Sequence, residues 1–247
     1  MPQQLHKTKG IVLRAIKYGD SGLVTLIYTE QFGIQSYLIQ GVRSARPQKA
    51  YQSNYFQPGA ILELVVYHQE QKSLQRIKEF KWAYLYQELM QDVFKNSVLV
   101  YMIELIIKTI KQPETNADLY AFIEDALIWL DQSTPEITAS YALYFSLHFC
   151  SFFGFQISNS PNQNSILDLS EGKFIEQLPG HPHYAEGSAV ETLRELIKVM
   201  HPHELAEVPV SRKDRQQILE IVERYYQLHL SEFGKMKTVP ILKQIMS

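Results

Sequence analysis

The hydrophobic period of this 247-residue chain changes once, near residue 82, which commits it to a β-rich part followed by a helical part. Before the change run five short segments rich in Val, Ile, Leu, Tyr and Thr: 9–17 (KGIVLRAIK), 23–29 (LVTLIYT), 34–40 (IQSYLIQ), 60–67 (AILELVVY) and 73–80 (SLQRIKEF). β-Branched and aromatic residues suit a pleated, half-buried surface. Turn residues separate the runs, including Tyr18-Gly19-Asp20-Ser21-Gly22 and Gln31-Phe32-Gly33. So little chain leaves no room for crossover helices, so an antiparallel sheet is expected, closed into a small barrel that removes its edges. The expected form is a five-stranded OB-type barrel, with an SH3-like barrel as the nearest competitor.

After Trp82 the apolar residues follow a helical period. Ile137, Tyr141, Tyr144, Phe145, His148, Phe149 and Phe152 recur at three- and four-residue spacing. Thr134 is placed to cap that helix, Pro135 suits its first turn, Glu136 complements the dipole and Gly154 stops it. Further helices are expected near 84–92, 95–111, 117–131, 188–200, 211–231 and 238–246, with Ser211 and Asp214 as a weak capping box. Between 155 and 187 the period fails: Asn159, Ser160, Pro161, Asn162 and Asn164 make a loop, and 166–169 and 173–175 flank a turn at Ser170-Glu171-Gly172, as a small hairpin would. The expected chain is an α+β multidomain protein: a barrel over 1–82, and an α-helical domain over 83–247 with an irregular insert at 155–187.

The net charge of −2 conceals an uneven distribution. Residues 1–82 hold eleven Lys or Arg against five Asp or Glu, a net +6, while 83–247 carry −8. A basic barrel favours a polyanionic partner, although an uneven solvated surface gives the same count. Residues 31–62 contain no Asp or Glu, and within them lies Gly41-Val42-Arg43-Ser44-Ala45-Arg46-Pro47-Gln48-Lys49. Cations on flexible stems, with no carboxylate competing for them, suit phosphate. Arg43, Arg46 and Lys49 are therefore the leading nucleic-acid candidates, and Arg14, Lys72, Arg76 and Lys78 extend the cationic surface across the barrel. Tyr18, Tyr37, Tyr51, Tyr55 and Phe56 lie among these charges and offer stacking faces, or fill the barrel core.

Other classes are poorly served. The chain is 45% hydrophobic and 20% charged, as in folded globular proteins, and no segment approaches the roughly 18 apolar residues of a membrane span. No apolar signal segment follows the polar start, and the single Cys150 excludes a disulfide framework, so a cytoplasmic protein is expected. No G-x-x-x-x-G-K-[ST], H-E-x-x-H or G-x-S-x-G motif occurs. Asp168, Glu171 and Glu176 fit turn or surface positions better than nuclease metal chemistry. The His181-Pro182-His183 and His201-Pro202-His203 triplets lack a Cys or well-spaced acid to complete a tetrahedral set, so loop histidines are expected. No enzyme activity, cofactor or metal is expected.

One ordered succession of motifs points to a family. The run from Lys9 (K-G-I-V-L-R-A-I-K-Y-G-D-S-G-L-V-T-L-I-Y-T-E-Q-F-G), the later Q-G-V-R-S, and Phe56-Gln57-Pro58-Gly59 before I-L-E-L-V-V-Y resemble the start of the bacterial RecO recombination mediators. The resemblance is strongest over 7–82 and thereafter holds in order and length. It implies an OB fold followed by a helical domain. It further implies binding to single- and double-stranded DNA, annealing of complementary strands, cooperation with RecR, and loading of RecA onto DNA coated by single-strand-binding protein during repair and recombination near the nucleoid.

Carried onto this chain, the family's basic-loop role falls on Arg43, Arg46 and Lys49, with Lys7, Lys9 and Arg14 as lesser candidates. Many RecO proteins place four cysteines in zinc spacing after the central helices; here that place reads Gly154-Phe155-Gln156-Ile157-Ser158-Asn159-Ser160-Pro161-Asn162, and Cys150 is expected to be a buried structural thiol. The Tyr141-to-Phe153 aromatic stripe reads as core, or as a groove for the tail of single-strand-binding protein. Arg212, Lys213 and Arg215 open a helix and are candidates to receive that acidic tail, or are ordinary solvated charges. An RNA-binding barrel protein and a non-catalytic helical scaffold remain as competing functions.

Overall fold

The computed structural model describes residues 4–42, 52–158 and 165–245. They fall into two compact units, one drawn from 1–87 with 110–128 and the other from 88–109 with 129–247. Among the described residues the strands are β1 (Leu5–Tyr18), β2 (Gly22–Thr29), β3 (Gly33–Ile39), β4 (Ile61–Tyr67), β5 (Leu74–Trp82), β6 (Ile166–Asp168), β7 (Lys173–Ile175) and β8 (Tyr184–Glu186). The α-helices are α1 (Val93–Thr109), α2 (Ala117–Gln132), α3 (Pro135–Phe149), α4 (Ser188–Lys198), α5 (Arg212–His229) and α6 (Thr238–Ile245). No helix among the described residues is long and apolar enough to cross a membrane.

The first unit is a closed barrel with strand order β1-β2-β3-β5-β4, β4 returning to β1. This Greek-key order is that of an OB fold and sets the SH3-like alternative aside. Pairing is not antiparallel throughout, as the sequence led us to expect. Closure places β5 between β3 and β4, and there it runs parallel to β3.

Strand β1 serves two ladders: its first half pairs with β4 and its second half with β2. Gly10 sits where the ladders overlap, and a Cβ there would stand 2.6 Å from Ile27 Cγ2 and 2.9 Å from Leu64 Cδ1. A bulge between Val12 and Arg14 bends the strand onward. Inside lie Val12, Leu23, Ile27, Tyr37, Leu62, Leu64 and Val66. Residues 110–128 belong to the same unit; the Tyr120 ring lies 5.9 Å from that of Tyr28, whose hydroxyl donates to the Asn116 carbonyl at 3.5 Å.

The helix expected over 84–92 is absent. The buried Asp131 carboxylate accepts from the Glu88 and Leu89 amides at 2.9 and 2.8 Å, and Tyr86 is tied to the Gly59 carbonyl at 2.7 Å. Those bonds hold the segment in turns. Leu89 is fully buried, which is why its apolar pattern looked helical.

In the second unit the stripe of α3 is core: Tyr141, Phe145 and Phe149 have no exposed surface. Tyr226 of α5 donates to the Ser146 carbonyl at 2.8 Å, and the Tyr101 and Ser146 hydroxyls share a 2.8 Å bond. Thr134 occupies the N-cap position of α3 but its side chain caps no amide there. Its hydroxyl serves the Glu136 carboxylate instead, holding that carboxyl below the usual range. Ser211 does cap α5, accepting from the Asp214 amide at 3.0 Å. Gly154, at φ +79°, ends the short 3-10 turn that extends α3.

The hairpin expected after residue 165 forms as β6 and β7, and β8 adds a third strand on the other edge of β6. Cys150 is buried, its thiol pushed up to about 12 by that burial.

Candidate nucleic-acid interface

Alternation along β1 sends Arg14, Ile16 and Tyr18 outward, and all three are exposed. The ladders then extend two outward rows across the barrel. One runs Ile16–Val24–Leu38–Arg76 through β1, β2, β3 and β5, and ends on Tyr67 of β4. From β1 to β5 it covers three strand spacings, about 14 Å. The neighbouring row runs Arg14–Leu26–Ser36–Leu74. Both rows are free of carboxylates. Val24, Leu26, Leu38 and Tyr67 are half-buried, while Ile16 and Leu74 keep 52% and 37% of their surface in water, so the face is apolar at its centre with a guanidinium at each flank.

The face is framed at one end by the β1–β2 turn, where Tyr18 is 56% exposed, and at the other by the β4–β5 loop carrying Lys72. Leu38, Tyr67, Gln69, Lys72, Leu74, Gln75 and Arg76 line a cavity of about 220 Å³. Arg76 also lines a second one of about 290 Å³ with Lys78, Gln40, Val42 and Gln52. Lys78 is the extra residue of a bulge against β4 and lies 3.3 Å from the exposed Glu79. Such an exposed pair is weak, so it leaves Lys78 largely available.

Lys7 and Lys9 occupy different surroundings. They line a groove of about 510 Å³ with Lys81 and three acids, Glu30, Glu63 and Glu79. Lys9 is bonded to Glu124 of α2 at 2.9 and 3.1 Å, and that hydrogen bond holds its ammonium above the ordinary range. Lys81 pairs with Glu63 at 2.8 Å. Alternating signs in one groove give a phosphate little net attraction. Arg43, Arg46, Lys49 and Tyr51 lie outside the described residues.

Of the aromatics picked from sequence, Tyr37 and Phe56 are core residues at 0% and 2% exposure, and Tyr55 stacks on Trp82 at 4.7 Å. Tyr18 is the one of them, among the described residues, that faces solvent on the two-row side. Sequence reading passed over Ile16, Leu38, Leu74 and Tyr67. The period-two placement of Arg14, Ile16 and Tyr18 was available as a signal; the pairing that adds Leu38 and Tyr67 was not.

In the second unit, Arg212 and Lys213 are exposed at the start of α5. Arg215 turns inward to a cavity of about 450 Å³ that it lines with Phe94, Lys95, Pro135, Ala139 and Ile245, together with Glu88 and Asp92. Its guanidinium donates to the Val210 carbonyl at 3.2 Å. The His181 ring lies 3.4 Å from Asp168 and the His201 and His203 rings stack at 5.7 Å. Among the described residues no three His, Cys, Asp or Glu side chains gather as metal ligands.

An OB barrel with this face is compatible with polyanion binding but does not by itself name a lineage. The family described as Recombination protein O N terminal matches residues 1–86, and Recombination protein O C terminal matches 90–238. The chain belongs to the RecO family. Curated RecO relatives include the DNA repair protein RecO of Flavobacterium psychrophilum, 30% identical over 98% of this chain and 99% of that protein. The RecO proteins of Phocaeicola vulgatus and Porphyromonas gingivalis are 28% and 26% identical, over 98% and 96% of this chain and 100% and 98% of their own lengths. After the central helices this chain has the three-stranded β6–β8 sheet.

Proposed function

We propose that this RecO-family chain binds single- and double-stranded DNA on the outer face of its barrel and anneals complementary strands. On this reading it works with RecR to help load RecA onto DNA coated by single-strand-binding protein. The observation that carries the DNA-binding reading is the pair of carboxylate-free rows, with Arg14 and Arg76 on either flank of an apolar centre. Guanidinium groups take phosphates, and the apolar rows with Tyr18 and Tyr67 receive base or sugar faces. Lys72 and Lys78 continue the cationic border, and Arg43, Arg46 and Lys49, the candidates named from sequence, add further positive charge toward the DNA. Lys7 and Lys9 contribute less, because acids share their groove.

The mechanism is physical. Cations displace counterions from both strands, their repulsion falls, and base edges stay free to pair, so no nucleotide is hydrolysed. With about four phosphates held on a single strand, log affinity falls with log salt at a slope near −3, using roughly −0.7 per phosphate. The acidic tail of single-strand-binding protein is received on the exposed Arg212 and Lys213 at the start of α5, since Arg215 faces a cavity that it shares with Glu88 and Asp92.

Strand annealing without ATP, on DNA coated by the cognate single-strand-binding protein, tests the reading. Arg14→Glu with Arg76→Glu slows annealing, and Arg43→Glu with Arg46→Glu weakens binding to all sequences alike. Wild-type annealing by a folded Arg14→Glu/Arg76→Glu protein would remove the two-row face from the mechanism.

A further inference from the structure

Gln75 is a polar residue on the inward side of β5, only 3% exposed. A buried amide is costly unless satisfied, and this one is satisfied by a single short loop. Its Nε2 donates to the Gln69 carbonyl at 2.8 Å and to the Lys72 carbonyl at 2.7 Å, while its Oε1 accepts from the Gln69 amide at 3.0 Å. The side chain thus pairs with Gln69 as a neighbouring strand would. The Lys72 amide closes the same turn on the Gln69 carbonyl at 3.0 Å.

The loop so fixed is the one that carries Lys72 to the cavity it shares with Arg76, Tyr67, Leu38 and Leu74. Glu70 and Gln71, at the tip of the turn, are exposed and absent from that lining. An unpinned six-residue connection, 68–73, would let the lysine sample many positions at an entropic cost on binding.

We infer that Gln75 is a positioning residue for nucleic acid: its buried amide presets the β4–β5 loop so that Lys72 and Arg76 serve one nucleotide unit seated in the 220 Å³ cavity. The backbone phosphate meets the two cations, and the sugar or base lies against Tyr67, Leu38 and Leu74. This inference rests on the barrel face being the DNA site.

Salt-titrated binding of a fluorescent oligothymidine to the full chain separates the possibilities. Gln75→Leu keeps a side chain of similar size but loses all three bonds, and the exposed turn can satisfy its carbonyls from water. Gln75→Met keeps an unbranched side chain of similar volume and loses the same three bonds without adding charge. Each is compared with Lys72→Ala and with the Gln75→Leu/Lys72→Ala pair, at a temperature where melting shows all are folded.

Expected is a salt slope shallower by about 0.7 for Gln75→Leu, for Gln75→Met and for Lys72→Ala alike. The pair should be no shallower than either single change, since each removes the same contact. If Lys72→Ala flattens the slope while both Gln75 variants keep the wild-type slope, the positioning role is overturned and the barrel-face reading stands. If Arg14→Ala, Lys72→Ala and Arg76→Ala all leave a salt-dependent binder unchanged, the face itself is wrong, and the inference falls with it.

Discussion

Lys95 and Glu88 form an ion pair whose two halves have unequal surroundings, and that inequality predicts which substitution costs more. The Lys95 side chain is 5% exposed and donates to Glu88 at 2.6 Å and to the Asp131 carbonyl at 2.7 Å; the Glu88 side chain is 66% exposed. Removing the lysine loses one hydrogen bond to a backbone carbonyl, because water takes over the exposed carboxylate. Lys95→Met, which also keeps the aliphatic stem, should therefore cost about 1–2 kcal/mol. Removing the carboxylate leaves a buried ammonium whose remaining hydrogen bond, among the described residues, is to the Asp131 carbonyl. Breaking a buried pair from that side costs roughly 3–5 kcal/mol, and the surviving carbonyl bond places Glu88→Ala near the lower end, about 3 kcal/mol. The residue on the surface should thus matter more than the residue in the interior. Urea unfolding, monitored by tryptophan fluorescence with m-values compared, measures both. A larger loss for Lys95→Met than for Glu88→Ala would refute the reasoning, and equal small losses would show that the ammonium reaches water unaided.

Three further outcomes are expected. Gly10→Ala drives a methyl into Ile27 and Leu64 at the crossover of β1, and should cost about 1–3 kcal/mol in urea melts while leaving helical circular dichroism intact. His148 is half-buried beside Tyr144 at 4.5 Å, its Nε2 buried and unpartnered, and this desolvation holds its imidazolium below the ordinary 6.5. The unfolded chain therefore binds the proton more readily, so stability falls as pH drops through about 6.5, and His148→Phe should flatten that fall in melts between about pH 7.5 and 5. Lys9→Met removes a lysine already engaged by Glu124, so the salt slope of DNA binding should stay at its wild-type value, where loss of a phosphate contact would reduce it by about 0.7.

Local pattern carried much of this architecture. The five β-runs and the α3 stripe obey periods of two and 3.6 that each element states for itself, and the OB barrel followed once closure was required. What escaped was set by partners distant in sequence. The 84–92 segment looked helical because Leu89 and its neighbours are apolar, but an aspartate more than forty residues away captures its amides. Lys9 looked like a free cation until Glu124, 115 residues on, appeared beside it. Strand β8 is three residues long, too short for alternation to register, and exists by pairing with β6. The candidate site divides the same way. Arg14, Arg76, Lys72 and Lys78 were picked out by charge, whereas their apolar companions needed the β2–β3–β5 register. Tyr37 shows the converse: its side chain suited a stacking face, yet the alternation of β3 turns it inward.

The central claim is that DNA lies across the outer β1–β2–β3–β5 rows of the barrel. Photocrosslinking of iododeoxyuridine-substituted single-stranded DNA to the intact protein, with adducts mapped by mass spectrometry, addresses it most directly. Adducts are predicted on Tyr18 and Tyr67, both lost at high salt. Adducts confined to residues 88–245, with the barrel unmarked at every salt concentration, would contradict the account.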